Sequence, residues 1–394
     1  MIGIIANRIQ EGHGMAEKNL AEHLNGNEAI AKAIGLVNNE ASDQNYRQLL
    51  EIIQNQIAEK RCFLIPVEYH TANDGGTVTD FRAVQYENKR YLAAFTSLNE
   101  LQKGASTDYI VYDIRMFLDM VSEIEDVDGA VLNPWGESYV LYPEAVRILR
   151  NNSLLHDAIR YASEKHEGQY RKGTVMPYIV HPLETMQILN SMGADIPLQI
   201  AGVLHDTLED TSATADELEL LFGEEICRLV CMHSEDKSKS WEQRKQTAIA
   251  ELSQADKAFQ MLVMADKVSN LRSMLRDYMA EGEALWERFQ RPKEKQSWYY
   301  SHIQDALWDM QNDSNTAPVY WEMAGLYKDI FVQYYLNDTA TAIYQVSADG
   351  ESYLLQKGDT NWYPYEGAVP DHATQIARYA AERLEDTWAG EVNK

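Results

Sequence analysis

The stretch LHDTLEDT, residues 204–211, sets one imidazole and three carboxylates into an otherwise apolar segment. Pro197 is tolerated in a first helical turn, and apolar residues follow it at helical spacing, so we predict a single buried helix over residues 197–210. The spacing places four groups over one arc near the end of that helix: His205, Asp206, Glu209 and Asp210. Because carboxylates there oppose the helix dipole and lie among apolar neighbours, the pattern favours a bound cation.

A second predicted helix, over residues 258–276, contains VMADKVSNL at residues 263–271. Most of it is apolar, while Asp266, Asn270 and Ser273 form one polar stripe at helical spacing. Upstream, His181 precedes Pro182, and alone it would be interpreted as a helix cap. Taken together, two imidazoles and two carboxylates suit a borderline divalent cation and leave positions open for water and phosphate. The sequence therefore predicts a metal-dependent enzyme.

Four stretches resemble, in order, the hydrolase domain of the RelA/SpoT proteins and the small alarmone hydrolases. They are HEGQYRKGTVMPYIVHP (166–182), AGVLHDTLEDT (201–211), HSEDKSKSWEQRK (233–245) and VMADKVSNLRSM (263–274), and the resemblance spans about residues 154–277. It implies an HD-type domain that removes the 3′-pyrophosphate from guanosine tetra- or pentaphosphate, with one Mn²⁺ ion as cofactor. No later stretch resembles the alarmone synthetase domain, so synthesis is not expected.

The resemblance also implies roles for individual residues. Four are the implied metal ligands: His181, His205, Asp206 and Asp266. Glu209 and Asp210 are the implied pair that orients and deprotonates the attacking water. Six are the expected substrate-binding residues: Arg171, Lys172, Arg244, Lys245, Asn270 and Ser273. Lys237 and Lys239 lie in the same motif but are interpreted as solvated surface cations.

Two further modules are predicted outside the hydrolase segment, so the expected fold class is multidomain α+β. Residues 31–150 alternate β-rich runs with helices and resemble the SseB N-terminal domain over about residues 31–149. That resemblance is most specific in FLIPVE (63–68), KRYLAAFTS (89–97), LQKG (101–104) and VLNPWG (131–136). Residues 1–30 are predicted to be a leader, with translation starting at Met1 or Met15. Residues 151–313 are predicted to be an all-α HD-domain helical bundle.

The C-terminal region, residues 319–394, is predicted to be a small α+β module of unknown role. We predict a linker over residues 312–318, a helix around residues 321–335 and a final helix over residues 371–388. Between these helices, the sequence predicts a hairpin that turns at Asp349 and Gly350.

Composition limits the possible partners. The formal net charge is −26, so nucleic acids and anionic membranes are disfavoured because their phosphates would be repelled. A polyanionic substrate must therefore be held by local cations and the metal rather than by the overall field. Three cysteines and the lack of a long apolar run are typical of a cytoplasmic protein. A protein partner is expected for the SseB-like module, and the sequence leaves the oligomeric state open.

Two alternatives stay open at this stage. The first is an HD-type hydrolase of another phosphorylated nucleotide. The metal ligands indicate the type of bond that is cleaved better than they indicate the base of the nucleotide. The second is a nucleotide-sensing or scaffold protein, in which the flanking modules carry the biological role. The Glu209–Asp210 pair argues against a sensor, because binding alone needs no carboxylates that activate water.

Overall fold

The computed structural model describes residues 17–71, 77–86, 88–105 and 107–392. These residues form two compact units, which divide between Asp157 and Ala158. Both candidate translation starts, with the first part of the predicted leader, lie outside the described residues. In the described part of the chain, no helix is long and apolar enough to cross a membrane.

The first unit combines helices with two small sheets. Its elements are α1 (Glu17–His23), α2 (Asn27–Asn39), α3 (Asp43–Ala58), β1 (Cys62–Thr71), β2 (Thr77–Phe81), β3 (Ala83–Tyr86), β4 (Lys89–Ala94), α4 (Leu98–Leu101), β5 (Asp108–Asp113), α5 (Ile114–Glu123), β6 (Ala130–Leu132) and β7 (Tyr139–Leu141). One sheet has the antiparallel order β2-β1-β5, and the other has the order β3-β4-β6-β7 with β4 and β6 parallel.

Successive side chains of β1 point to opposite faces of the strand and enter two separate core clusters of this unit. Phe63 and Ile65 point into the larger apolar cluster with the helices, whereas Leu64 points into a smaller cluster on the opposite side. The smaller cluster also holds Trp135, whose ring centroid lies 4.6 Å from that of Phe95. Stretches that carry the SseB resemblance thus pack together, and their role in the described structure is to build the core.

The second unit begins with helices and ends with a sheet. The helix α6 (Pro143–Lys165) contains the division between the units, and the helices that follow are α7 (Val180–Ser191), α8 (Ile196–Leu204), α9 (Thr207–Asp210), α10 (Ala215–Phe222), α11 (Glu224–His233), α12 (Trp241–Leu252), α13 (Lys257–Glu281), α14 (Lys293–Ala306) and α15 (Ala317–Phe331). Short 3-10 helices cover Gly282–Arg288 and Trp308–Asn312. Helix α13 packs against α7, α8 and α15. The hydrolase segment is therefore helical, as predicted.

One antiparallel sheet completes the second unit. Its strands are β8 (Val332–Leu336), β9 (Ala342–Ser347), β10 (Ser352–Gln356), β11 (Tyr363–Pro364) and β12 (Thr374–Ile376), in the order β11-β10-β9-β8-β12, and α16 (Arg378–Val392) follows. Strands β9 and β10 form the predicted hairpin, in which Gly350 adopts a positive φ of 98°. The finer domain limits at residues 31–150, 151–313 and 319–394 stay predictions.

The predicted single helix over residues 197–210 is wrong. Helix α8 ends at Leu204 and α9 begins only at Thr207, so His205 and Asp206 occupy a turn between two helices. The Thr207 hydroxyl donates a hydrogen bond of 2.6 Å to the Leu204 carbonyl, which in a continuous helix would accept from the backbone. This break directs both side chains toward the neighbouring helices.

Three predicted boundaries in the C-terminal region also shift. Pro318 lies in the first turn of α15, where proline is favoured, so a helix begins within the predicted linker. That helix ends at Phe331 instead of residue 335, because the following residues pair with β9 as strand β8. The last helix begins at Arg378 instead of residue 371, since β12 occupies Thr374–Ile376.

Candidate active site

Two imidazoles and two carboxylates meet where α7, the end of α8 and the middle of α13 come together. His181 lies in the first turn of α7, His205 and Asp206 occupy the turn after α8, and Asp266 lies on α13. His181 Nε2 lies 3.2 Å from Asp266 Oδ1, and His205 Nε2 lies 3.0 Å from Asp206 Oδ2. One potential ligand atom each of His181, His205 and Asp266 lies within 4.8 Å of the others. The structure thus brings all four sequence-predicted ligands to one point.

Hydrogen bonds on the far side of each ring orient the two imidazoles. His205 Nδ1 lies 2.8 Å from the Gly202 carbonyl, which can only accept, so His205 carries its proton on Nδ1. His181 Nδ1 lies 2.8 Å from Ser269 Oγ. Both Nε2 atoms therefore face the two carboxylates. Buried imidazole nitrogens and carboxylate oxygens converging in this way fit a divalent cation of borderline softness.

Neighbouring positive groups keep the two carboxylates of this cluster ionised. Burial by itself raises the pKa of Asp206, but the imidazoles of His205 and His181 outweigh it and hold that pKa well below its usual range. Burial likewise opposes ionisation of Asp266, and Lys267 with the nearby imidazoles lowers its pKa strongly. For His205, burial lowers the pKa, but Asp206 and Asp266 outweigh burial and raise it to about 9. A cation in this position would take the place of a proton.

Three neighbouring residues were missed by the sequence reasoning. Tyr178 donates a hydrogen bond of 2.7 Å from its hydroxyl to Asp206 Oδ2. Lys267 Nζ lies 2.6 Å and His233 Nε2 lies 3.3 Å from Asp266 Oδ2, the oxygen that faces away from His181. His233 is buried, and burial lowers its pKa. Each of the three lies within a stretch quoted for the family resemblance, but residue type alone did not separate them from core or surface residues.

A cavity of about 410 Å³ is lined by three of the four convergent groups, His181, Asp206 and Asp266, while His205 is fully buried; we call it the first cavity. Glu209 and Asp210, the predicted water-activating pair, both line it. Burial raises the pKa of Glu209, and the negative charges of Glu235, Asp210 and Asp206 add to that effect. A glutamate with a raised pKa is a stronger proton acceptor, which suits it to the predicted role.

Lys237 was interpreted as a solvated surface cation, and that interpretation is incomplete. Its side chain is 57% exposed, but its Nζ lies 3.3 Å from Asp210 Oδ1 and 3.8 Å from Glu209 Oε1. It therefore moderates the negative charge of the predicted catalytic pair. Lys239 is similarly exposed and pairs with Asp236 at 3.8 Å.

Arg244 and Lys245 lie on α12 and line the first cavity. Both pair with Glu235, at 3.3 Å from Arg244 Nη1 and at 2.6 Å from Lys245 Nζ. Lys245 Nζ also lies 4.5 Å from the ring centroid of Tyr299. Two cations therefore face the single carboxylate of Glu235 here, although Glu251 on the same helix also lines the cavity.

A second cavity of about 260 Å³ shares Tyr178 and Asn270 with the first. The other five predicted substrate-binding positions divide between the two cavities: Arg171, Lys172 and Ser273 line the second, and Arg244 and Lys245 line the first. Arg171 Nη2 donates to Asn270 Oδ1 at 2.9 Å, and Asn270 Nδ2 donates to Asp266 Oδ1 at 2.6 Å. A hydrogen-bonded path therefore joins the second cavity to the metal-ligating side.

Aromatic and aliphatic side chains, together with Asp277 and Arg288, form the rest of the second cavity. The Arg171 guanidinium lies 5.7 Å from the ring centroid of Tyr178, and Lys172 Nζ lies 5.4 Å from that of Phe289. Leu285 and Tyr300 add apolar surface. A planar cation beside apolar walls suits a flat heterocycle that carries phosphates.

Comparison with known proteins gives matches for both units. The HD domain family matches residues 158–291, and the SseB protein N-terminal domain family matches residues 32–148. Guanosine-3′,5′-bis(diphosphate) 3′-pyrophosphohydrolase MESH1 of Xenopus tropicalis is 35% identical over 127 residues, which cover 32% of this chain and 71% of that protein. The MESH1 protein of Homo sapiens is 38% identical over 127 residues, which cover 31% of this chain and 70% of that protein.

Longer proteins and solved structures also match part of the chain. A GTP pyrophosphokinase of Myxococcus xanthus is 35% identical over 137 residues, which cover 32% of this chain but only 18% of that protein. A solved structure of a metazoan orthologue of SpoT, described as hydrolysing ppGpp and acting in starvation responses, is 26% identical with a TM-score of 0.38. That match covers 44% of this chain and 94% of the other.

Proposed function

This chain belongs to the HD-domain family of the MESH1 and SpoT-like hydrolases, and we propose that it removes the 3′-pyrophosphate from guanosine tetra- and pentaphosphate. The products are pyrophosphate and GDP or GTP. The observation that carries the proposal is the meeting of His181, His205, Asp206 and Asp266 beside a cavity. His181, Asp206 and Asp266 line that cavity together with Glu209 and Asp210.

Manganese is the proposed cofactor, held by the same four residues. Two nitrogen and two oxygen donors suit a borderline cation, and the adjoining cavity leaves room for water and phosphate. When bound, a divalent cation supplies Lewis-acid chemistry that lowers the pKa of a water molecule and neutralises phosphate charge. Tyr178 and Ser269 hold the ligands by hydrogen bonds at 2.7 Å and 2.8 Å, so the site is preorganised.

Glu209 and Asp210 are the proposed proton acceptors. The water oxygen bonds to the phosphorus that carries the 3′ oxygen, the bond from that phosphorus to the 3′ oxygen breaks, and the 3′ oxygen leaves as the ribose hydroxyl after taking up a proton. The water proton passes to Glu209, whose raised pKa makes it a suitable acceptor. Lys237 lies close to both carboxylates, and its positive charge limits the rise in the pKa of Glu209.

Six cationic or polar side chains are proposed to bind the nucleotide. In this proposal, Arg171 stacks on the base, Lys172 pairs with phosphate, and Asn270 and Ser273 contact the nucleoside. Arg244 and Lys245, which lie on α12 and line the first cavity, hold phosphates there. The acidic composition supports a role for these local cations, since a protein with formal charge −26 must attract a polyanion through local cations rather than its overall field.

Purified full-length protein with Mn²⁺, assayed on a panel of guanosine and adenosine nucleotides with and without 3′-pyrophosphate, tests the proposal. We expect pyrophosphate release from guanosine tetra- and pentaphosphate, and neither activity nor bound metal in Asp206→Ala. A preference for another phosphorylated nucleotide would point to the alternative hydrolase. Metal and nucleotide binding without turnover would point to the sensor. Cytoplasmic location and a protein partner for the SseB-like region stay predictions.

A further inference from the structure

A continuous series of polar contacts leads from His181 to helix α15, beyond the segment that matches the HD domain family. His181 Nδ1 lies 2.8 Å from Ser269 Oγ, and Ser269 Oγ donates to Glu184 Oε2 at 2.8 Å. Arg272 Nη1 donates to Glu184 Oε1 at 3.1 Å. On its other side, Arg272 binds Glu322 through two hydrogen bonds of 2.7 Å and 2.9 Å. We call these five residues the relay.

The direction of the hydrogen bonds within the relay follows from the chemistry of its members. An ionised glutamate can only accept, so the single hydroxyl proton of Ser269 points to Glu184. Ser269 Oγ must then accept from His181, which places the imidazole proton on Nδ1. The lone pair of His181 is consequently on Nε2, the nitrogen that lies 3.2 Å from Asp266 Oδ1. Without the Glu184 acceptor, the hydroxyl could donate to Nδ1 instead and leave the proton on Nε2.

Arg272 and Glu322 hold Glu184 in the position this arrangement needs. Glu184 and Arg272 are only partly exposed, at 23% and 34% of the side chain, and the pair between Arg272 and Glu322 has the bidentate geometry that restricts a guanidinium most. Glu322 lies on α15, whose buried residues Tyr320 and Met323 pack the helix into the second unit. Position 322 therefore has a fixed location relative to α13.

We propose that Glu322 and Arg272 are positioning residues of the metal centre, acting through Glu184 and Ser269 to keep the lone pair of His181 on Nε2. The inference rests on the metal centre of the proposed function, but not on the identity of the nucleotide. Helix α15 then belongs functionally to the hydrolase, although the HD domain match ends at residue 291.

Mn²⁺ affinity of the full-length protein, measured without substrate by titration calorimetry, tests this inference. We expect Ser269→Ala to weaken binding about 10- to 100-fold, the range for a lost partner of a metal-bound histidine. Glu322→Gln should weaken it about 2- to 5-fold, since its effect reaches His181 only through Arg272, Glu184 and Ser269. The double variant that combines Ser269→Ala and Glu322→Gln should bind Mn²⁺ like Ser269→Ala alone, because Ser269→Ala already removes the hydrogen bond to His181.

Asp329→Asn is the matched control. Asp329 lies on the same helix, is as exposed as Glu322 at 37%, and pairs with Arg378 at 3.0 Å instead of with the relay. We expect its Mn²⁺ affinity to equal that of the wild type. Nitrogen-15 NMR of histidine-labelled, metal-free protein should show His181 carrying a proton on Nδ1 in the wild type and a smaller Nδ1-protonated fraction in Ser269→Ala.

Three outcomes would overturn the inference: unchanged affinity in Glu322→Gln, an equal loss in Asp329→Asn, or additive losses in the double variant. Thermal unfolding of each metal-free variant distinguishes weak binding from poor folding, and equal Tm values with reduced affinity support the relay. If the wild type binds Mn²⁺ but hydrolyses no guanosine 3′-pyrophosphate, the proposed function fails while the affinity series still decides the relay.

Discussion

Replacing Tyr178 by Phe removes one hydroxyl from the wall between the two cavities and leaves the ring in place. The hydroxyl donates a 2.7 Å hydrogen bond to Asp206 Oδ2, while the ring contacts the Arg171 guanidinium at 5.7 Å and the His166 ring at 4.8 Å. Phenylalanine keeps both ring contacts. The variant therefore isolates how much the hydroxyl contributes to holding Asp206 as a metal ligand.

The expected magnitude follows from the charge and exposure of Asp206. A hydrogen bond to a charged group contributes about 1.5–3 kcal/mol, which corresponds to roughly 10- to 150-fold in an equilibrium constant. The Asp206 side chain is 13% exposed toward the cavity, so a water molecule can replace part of the lost bond. We therefore expect the lower end of the range, an affinity for Mn²⁺ that is about 10-fold weaker.

Titration calorimetry with Mn²⁺ measures this affinity, and Tyr327→Phe is the control. Tyr327 is also buried, and its hydroxyl lies 3.0 Å from Ser297 Oγ, away from both cavities. The control should lose some stability against heat but bind Mn²⁺ like the wild type. If Tyr178→Phe bound Mn²⁺ as tightly as the wild type, the reasoning that the tyrosine hydroxyl positions Asp206 would be refuted.

Three further predictions concern turnover, pH and substrate affinity. Glu209→Gln should keep Mn²⁺ affinity but lower kcat by about 100-fold or more, as for a lost general base, and a parallel loss of bound metal would contradict that role. Lys237→Gln should raise the pKa of Glu209 further, because Lys237 now lowers it. Since the base works only when deprotonated, activity falls as pH drops through that pKa, so the acid limb of the kcat profile should move to higher pH; an unmoved limb would refute the pairing. Arg171→Lys should raise KM for guanosine tetraphosphate about 3- to 30-fold at unchanged metal content, through loss of the planar cation, and an unchanged KM would make Arg171 a surface cation.

Residue types and spacing predicted four candidate donors for a metal centre. His181, His205, Asp206 and Asp266 stand out because ionisable groups within apolar helices are costly unless something pairs them. The structure brings His181, His205 and Asp266 into one cluster with Asp206 beside both imidazoles, and the HD domain match supports a hydrolase. The hairpin at Gly350 was also predictable, because a local turn signal between two β-rich runs needs no distant contact.

Other features depend on specific contacts that apolar periodicity does not reveal. The break after Leu204 has a local cause, because the Thr207 hydroxyl competes with the helix hydrogen bond. Strand β8 continues directly from a helical pattern, and pairing with β9 accompanies the end of the helix at Phe331. In that segment the local preference is weak, so the tertiary environment decides.

The sequence by itself determined which chemistry this protein has available, since a metal-binding set of histidines and carboxylates is a property of residue type and local context. Only the tertiary structure decided which other groups control that set. Lys237 reaches Glu209 and Asp210 from 27 or more positions away, and Glu322 meets Arg272 across 50 positions. Such contacts leave no periodic signal, because charged side chains at these positions look like ordinary surface residues until folding brings their partners within hydrogen-bonding distance.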